Sequence, residues 1–220
     1  MRLRNKPWTD EFLVTNQKYL ISWNRPAKIV FNKEFKNDAP VYLEIGCGKG
    51  NFITQHALLN PSINFIGMEK EKTVVGVALK KTLATFENKP LNNLKYFNDF
   101  AEDLSDMFED NSIDQIFLNF SDPWPKSRHA KKRLTYVKFL DIYSKILKPN
   151  GELHFKTDND GLFASTLENL ELTDKWEIIS QTTDLYNDEE LLKNNIPTEY
   201  ETKFHNLGKN INKLIIRNVK

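Results

Sequence analysis

A single cysteine, Cys47, among 220 residues excludes an intrachain disulfide and any metal cage made of cysteine alone. The four histidines, His56, His129, His154 and His205, are too scattered for an H-E-x-x-H-like pair, and no other spacing implies a metal. No apolar run approaches the ~20 residues a membrane helix needs. Met1 to Asp10 carries Arg2, Arg4 and Lys6 with no apolar stretch behind them, which is not the pattern of a signal peptide. These absences point to a cytoplasmic protein without a membrane partner. Repeats and low-complexity tracts are missing too. So is any surplus of charge: 31 Lys and Arg against 30 Asp and Glu leave a net charge of +1. Nucleic-acid binding would have to rest on a local patch. One such patch is present. Lys126 to Arg133 reads KSRHAKKR, five basic residues plus His129 with no acid.

What is there is an alternation. Strand-length apolar runs at Val41–Ile45, Ile63–Met68, Leu94–Phe97, Gln115–Asn119, Gly151–Lys156, Trp176–Gln181 and Lys213–Arg217 are separated by helical patterns at Asn51–Leu59, Val74–Phe86, Leu104–Phe108, Tyr136–Leu147 and Leu162–Leu170. Pro149-Asn150-Gly151 reads as the stop of the fourth helix. The alternation predicts an α/β fold, a seven-stranded, mostly parallel sheet with helices on both faces. Residues 1–35 are less periodic and read as an N-terminal arm or helical extension. Residues 36–220 form the main domain. Phe120–Leu134 and Leu185–Asn206 read as functional loops.

The first strand runs straight into Gly46-Cys47-Gly48-Lys49-Gly50, and a helix follows. A glycine turn after the first strand of such a sheet lets a ligand approach the backbone closely. Glu44 precedes it. Glu69 lies at the end of the second strand, where a carboxylate can accept hydrogen bonds from both hydroxyls of a ribose. A pyrophosphate would be repelled by Glu44, whereas the cationic sulfonium and ammonium of S-adenosylmethionine would not. The spacing therefore favours S-adenosylmethionine over a nicotinamide dinucleotide.

Asn119 to Lys126, NFSDPWPK, follows the fourth strand, and ligands of open parallel sheets bind beyond the carboxyl ends of the strands. Pro123 and Pro125 stiffen the loop. Asp122 can accept from guanine N1–H and N2–H, Trp124 can stack on a base, and the basic run behind them can hold phosphates.

The segment SDPWPKSRHAKKRL resembles the signature of bacterial tRNA (guanine-N7-)-methyltransferases, and LEIGCGKGNFI, GMEK, HFKTDN and TEYE-KF match further blocks in order. The resemblance runs from about residue 41 to the end. It implies a Rossmann-like class I methyltransferase fold and methylation of N7 of the guanine at position 46 of the tRNA variable loop. It makes Glu44, Gly46, Gly48, Glu69 and Asp122 contacts of S-adenosylmethionine. At the end of the third strand, where the family has an acidic or polar contact, this chain has Phe100 with Asp99 beside it. Either the Phe100 amide or the Asp99 carboxylate is left to serve. Asp122 becomes the catalytic residue. Lys126, Asp158 and Thr198, Glu199, Tyr200 and Glu201 become substrate contacts, with Glu201 directed at the same guanine edge as Asp122. Arg128, His129, Lys131, Lys132 and Arg133 become the RNA-binding stretch. The implied partner is tRNA rather than DNA, and the chain would act as a monomer or homodimer. Three readings compete: methylation of another RNA or small molecule, nicotinamide-dependent oxidation, and a silent RNA-binding subunit. Asp158-Asn159 can also be read as a helix cap, and Thr198–Glu201 as a solvated loop.

Overall fold

The computed structural model describes residues 6–87 and 89–220, so Arg2 and Arg4 of the expected arm lie outside the described residues. The chain divides into two compact units, Met1–Glu109 and Asp110–Lys220.

The first unit contains, in order, α1 (Thr9–Thr15), β1 (Leu20–Ile21), α2 (Phe31–Phe35), β2 (Val41–Ile45), α3 (Asn51–Leu59), β3 (Asn64–Met68), α4 (Lys72–Thr85), β4 (Leu94–Phe97) and α5 (Leu104–Met107). Its strands lie in the order β1-β4-β3-β2, all parallel. Parallel strands covered on both faces read as apolar runs rather than alternations, and β3 is buried along its whole length. Ile45 pairs with Met68, and Met68 with Phe97. That register brings the segments after β2, β3 and β4 out at one edge. Glu44, Glu69 and Asp99 were read from separate stretches of sequence, and this edge gathers the segments that carry them. Ile53, Phe65, Val75, Leu79, Leu94 and Tyr96 are almost fully shielded from solvent and form the centre of the unit's core.

The second unit contains β5 (Ile113–Asn119), α6 (Val137–Ile146), β6 (Leu147–Thr157), α7 (Asp160–Leu170), β7 (Trp176–Thr182), α8 (Glu189–Lys193), α9 (Glu199–Asn206) and β8 (Asn212–Asn218). Its order is β5-β6-β8-β7. The β5–β6 pair is parallel, and both pairs made by β8 are antiparallel. Asn119 pairs with Lys156, and Lys156 with Lys213. The loops after β5, β6 and β7 therefore leave at the edge where β8 begins.

Two details differ from the sequence reading. The described residues hold eight strands, and the additional one, β1, falls in the segment read as an arm. It pairs through Leu20 with Tyr96 at the edge of the first unit's sheet. The second detail is the place of Pro149-Asn150-Gly151. The helix ends earlier, at Ile146, and these residues bulge out of β6, with Asn150 at φ 64°. The β5–β6 ladder breaks after Ile113–Leu147 and resumes at Gln115–Glu152. A Pro-Asn-Gly triplet suits any chain reversal, and periodicity alone does not separate a helix stop from a bulge. Among the described residues, no helix is long and apolar enough to cross a membrane.

Candidate active site

In the first unit the glycine turn hangs on β3. The amides of Gly46 and Cys47 both donate to the carbonyl of Met68, at 2.8 and 3.0 Å. Gly46, Gly48 and Gly50 all have left-handed φ, at 77°, 54° and 77°. A Cβ placed on Gly46 or Gly48 would meet nothing within 4 Å, so the backbone there faces open space that a ligand can fill. Gly50 is different. Its Cβ would collide with the Tyr96 hydroxyl, which lies beneath the turn. That hydroxyl bonds Thr82 Oγ1 at 2.7 Å and Thr54 Oγ1 at 3.3 Å, making a closed buried polar cluster. Burial holds the Tyr96 phenol well above its ordinary range, and the Cys47 thiol likewise, so both stay protonated.

Glu44 lies buried near the end of β2 and Glu69 directly after β3. The Glu69 carboxylate accepts from the amides of Gly48 and Glu71, each at 3.2 Å. A carboxylate offers about four acceptor positions, so Glu69 braces the turn and keeps capacity for a diol. At the third position the Phe100 amide already donates to Asp99 Oδ1 at 2.8 Å, while the Phe100 ring is 55% exposed. The structure thus leaves the second Asp99 oxygen and an exposed ring, rather than a free amide, at that strand end.

In the second unit the NFSDPWPK loop is held by strained backbone and one guanidinium. Phe120 and Trp124 sit at φ 53° and 41°, unusual for aromatic residues. Arg133 donates from Nε to the Pro123 carbonyl at 3.1 Å. It also reaches the Trp124 carbonyl at 3.2 Å and Ser165 Oγ at 2.6 Å. Its fork therefore ties the loop to α7. Asp122, Lys126, Arg128, Lys131 and Lys132 are exposed. Lys132 lies 4.7 Å from the Trp124 ring centroid, and His129 meets the same indole edge-on at 5.7 Å.

Facing loops complete this half. Asn159, not Asp158, caps α7, accepting from the Leu162 amide at 2.7 Å. Asp158 leaves that cap to its neighbour, and its charge, after burial, raises the pKa of the Tyr200 hydroxyl. Tyr200 packs on Phe120, with centroids 5.0 Å apart, and stacks on Phe204 at 4.1 Å. Thr198 caps α9 in a reciprocal capping box with Glu201. Glu201 itself points inward and is fully buried against Lys156. Sequence reasoning passed over Lys156, Phe120, Tyr96 and Asn195. The signal for Lys156 was a cation at the apolar end of the predicted strand Gly151–Lys156, a stretch that the structure buries from Phe155 to Thr157; the other three had none.

The comparisons with known proteins follow this geometry. Residues 38–214 match the family model described as putative methyltransferase. The solved structure of the 16S rRNA methyltransferase KamB is similar to the chain at TM-score 0.65 and 15% identity, covering 86% of this chain and 93% of that one. Fold and glycine turn together define a methyltransferase of the class I type. A tRNA (guanine-N(7)-)-methyltransferase of Mesoplasma florum is 70% identical over 99% of both chains. One from Mycoplasma mycoides subsp. mycoides is 62% identical over the full length of both. The chain belongs to the tRNA (guanine-N(7)-)-methyltransferase family.

Proposed function

We propose that this protein transfers the methyl group of S-adenosylmethionine to N7 of the guanine at position 46 in the variable loop of tRNA, acting in the cytoplasm where tRNA is found. The observation that carries this reading is the second unit's strand edge. There a rigid acid-bearing loop, a basic run and the Tyr200–Phe120 contact lie in one unit, in a chain whose full-length relatives are named tRNA (guanine-N(7)-)-methyltransferases.

The first unit fits the cofactor. Gly46 and Gly48 leave a cradle with no side chain in it. Glu69 fits the ribose diol, Glu44 the cationic end of the molecule, and Asp99 with the Phe100 ring the adenine. When bound, S-adenosylmethionine supplies a methyl group on a positively charged sulfur that departs as a neutral thioether.

The chain's own residues have little proton chemistry to perform. Guanine N7 carries a lone pair and no proton, so no general base is needed to unmask it. Their work is alignment and exclusion of water. Asp122 is exposed on a loop that two prolines, two left-handed residues and Arg133 hold still. Placed beside the purine, its carboxylate favours the positive charge that arrives there with the methyl group. Lys126, Asp158 and Tyr200 frame the base. Arg128, His129, Lys131 and Lys132 face the phosphates.

The test is methyl transfer from labelled S-adenosylmethionine to an unmodified tRNA transcript and to one with adenine at position 46. Label on the first alone, with chain scission by N7-specific cleavage at that nucleotide, is the expected result. Equal labelling of both would move the target, and no label on either would refute the reading.

A further inference from the structure

Glu201 is the residue whose placement departs most from the sequence reading. Its carboxylate is 0% exposed and all four of its acceptor positions are taken. Oε2 accepts from Lys156 Nζ at 2.5 Å and from the Thr198 amide at 3.3 Å. Oε1 accepts from Asn195 Nδ2 at 2.6 Å and from the Tyr186 hydroxyl at 3.3 Å. Lys156 is equally committed. Its other two protons go to Asn195 Oδ1 at 3.1 Å and the Ile196 carbonyl at 3.0 Å. A guanine edge arriving at Glu201 would find neither a lone pair nor a path to it.

The partners reveal another use. Lys156 is on β6, one residue before Thr157 and two before Asp158. Asn195 and Ile196 belong to the segment between α8 and α9, and Thr198 is the cap of α9. One buried ion pair thus joins the strand that leads into Asp158 to the helix start carrying Tyr200. We propose that Glu201 is a positioning residue rather than a guanine ligand: its ion pair with Lys156 fixes the first turn of α9, so that Tyr200 packs against Phe120, forming the wall on which the target base rests. This rests on the reading of the second unit as the guanine site.

A buried pair is suited to this task. Breaking one member leaves an uncompensated charge inside the protein, so alternative positions of the helix start are strongly disfavoured. An exposed pair would give little geometric restraint.

The test is a cycle between protein and substrate. Inosine lacks the N2 amino group, so a transcript with inosine at position 46 removes the group a guanine-edge carboxylate would bind. Wild type must first methylate the guanine transcript; if it does not, the functional reading fails independently of this one. The inosine penalty is the ratio of kcat/KM on the two transcripts. For Glu201→Gln, positioning predicts a tRNA KM raised on the order of tenfold, unchanged S-adenosylmethionine affinity by calorimetry, and an inosine penalty equal to that of wild type within about twofold. Asn195→Ala, which loosens the same pair and also leaves the guanine edge untouched, should reproduce this pattern. It decides the question if Glu201→Gln does not fold. A penalty that collapses towards one in Glu201→Gln would make Glu201 a ligand and overturn the proposal. A wild-type KM in the variants that fold would overturn it equally.

Discussion

Single side chains decide what each unit can hold. Asp122 is the one acid in the loop Phe120–Leu134, which also carries two aromatics, two prolines and five Lys and Arg residues. If it acts on charge arriving at the purine, Asp122→Asn keeps both tRNA and cofactor affinity and lowers kcat on the order of a hundredfold. Single-turnover methyl transfer would measure this, and a wild-type rate would remove Asp122 from the chemistry. Under the glycine turn the limiting atom is the Tyr96 hydroxyl. A methyl at Gly50 must share its space while taking a left-handed φ of 77°. Gly50→Ala is therefore expected to destabilise the protein by about 1–3 kcal/mol and to weaken S-adenosylmethionine binding. Adding Tyr96→Phe to it should recover part of the loss by removing the obstructing oxygen. Denaturant melts and calorimetry on the single and double variants would settle this; no recovery would mean backbone strain alone is responsible.

At the scale of elements, the basic run divides into two jobs that charge counting does not separate. Arg133 is a brace, with all its described bonds inside the unit, while Arg128 and Lys131 are exposed. Arg128→Ala with Lys131→Ala should weaken tRNA binding and lower the slope of log K against log salt by about two. Arg133→Lys cannot reproduce the fork. It should lower turnover with little change in that slope, and equal slopes for both variants would contradict the division. Several of the elements that hold these residues were legible in the sequence. β2 with its glycine turn and β4 agree with the predicted strands to the residue, because parallel, doubly covered strands and glycine turns leave local marks. β1 left none: two residues cannot show a period, and their strand state comes from pairing with β4. Nor did the direction of Glu201. T-x-x-E announces a capping box as plainly as a ligand set, and only the approach of Lys156 from a distant strand decides which way the carboxylate turns.

On the scale of the whole molecule, net charge near zero conceals local expense. Lys156 and Lys213 stand opposite each other on β6 and β8, both largely buried. Like charges so placed are unfavourable. Burial, and then Lys156, pull the Lys213 ammonium down to about 8. An unfolded lysine titrates near ~10.4, so between these values the unfolded chain binds more protons and stability rises with pH. Below about 8 both states are protonated and the cost is constant. Lys213→Met should thus raise the melting temperature most at pH 7, with the advantage shrinking as pH approaches 10. Thermal melts at both pH values would show it, and a constant advantage would place the effect in packing instead. The loop after β5 carries a different tension. Phe120 and Trp124 occupy dihedrals that asparagine or glycine would adopt more comfortably, a difference of about 1 kcal/mol at each. Heat resistance and turnover consequently pull these two positions in opposite directions. A lineage selected for durability alone would trade the rings away, and its descendants would outlast their ancestor while modifying fewer tRNAs per hour.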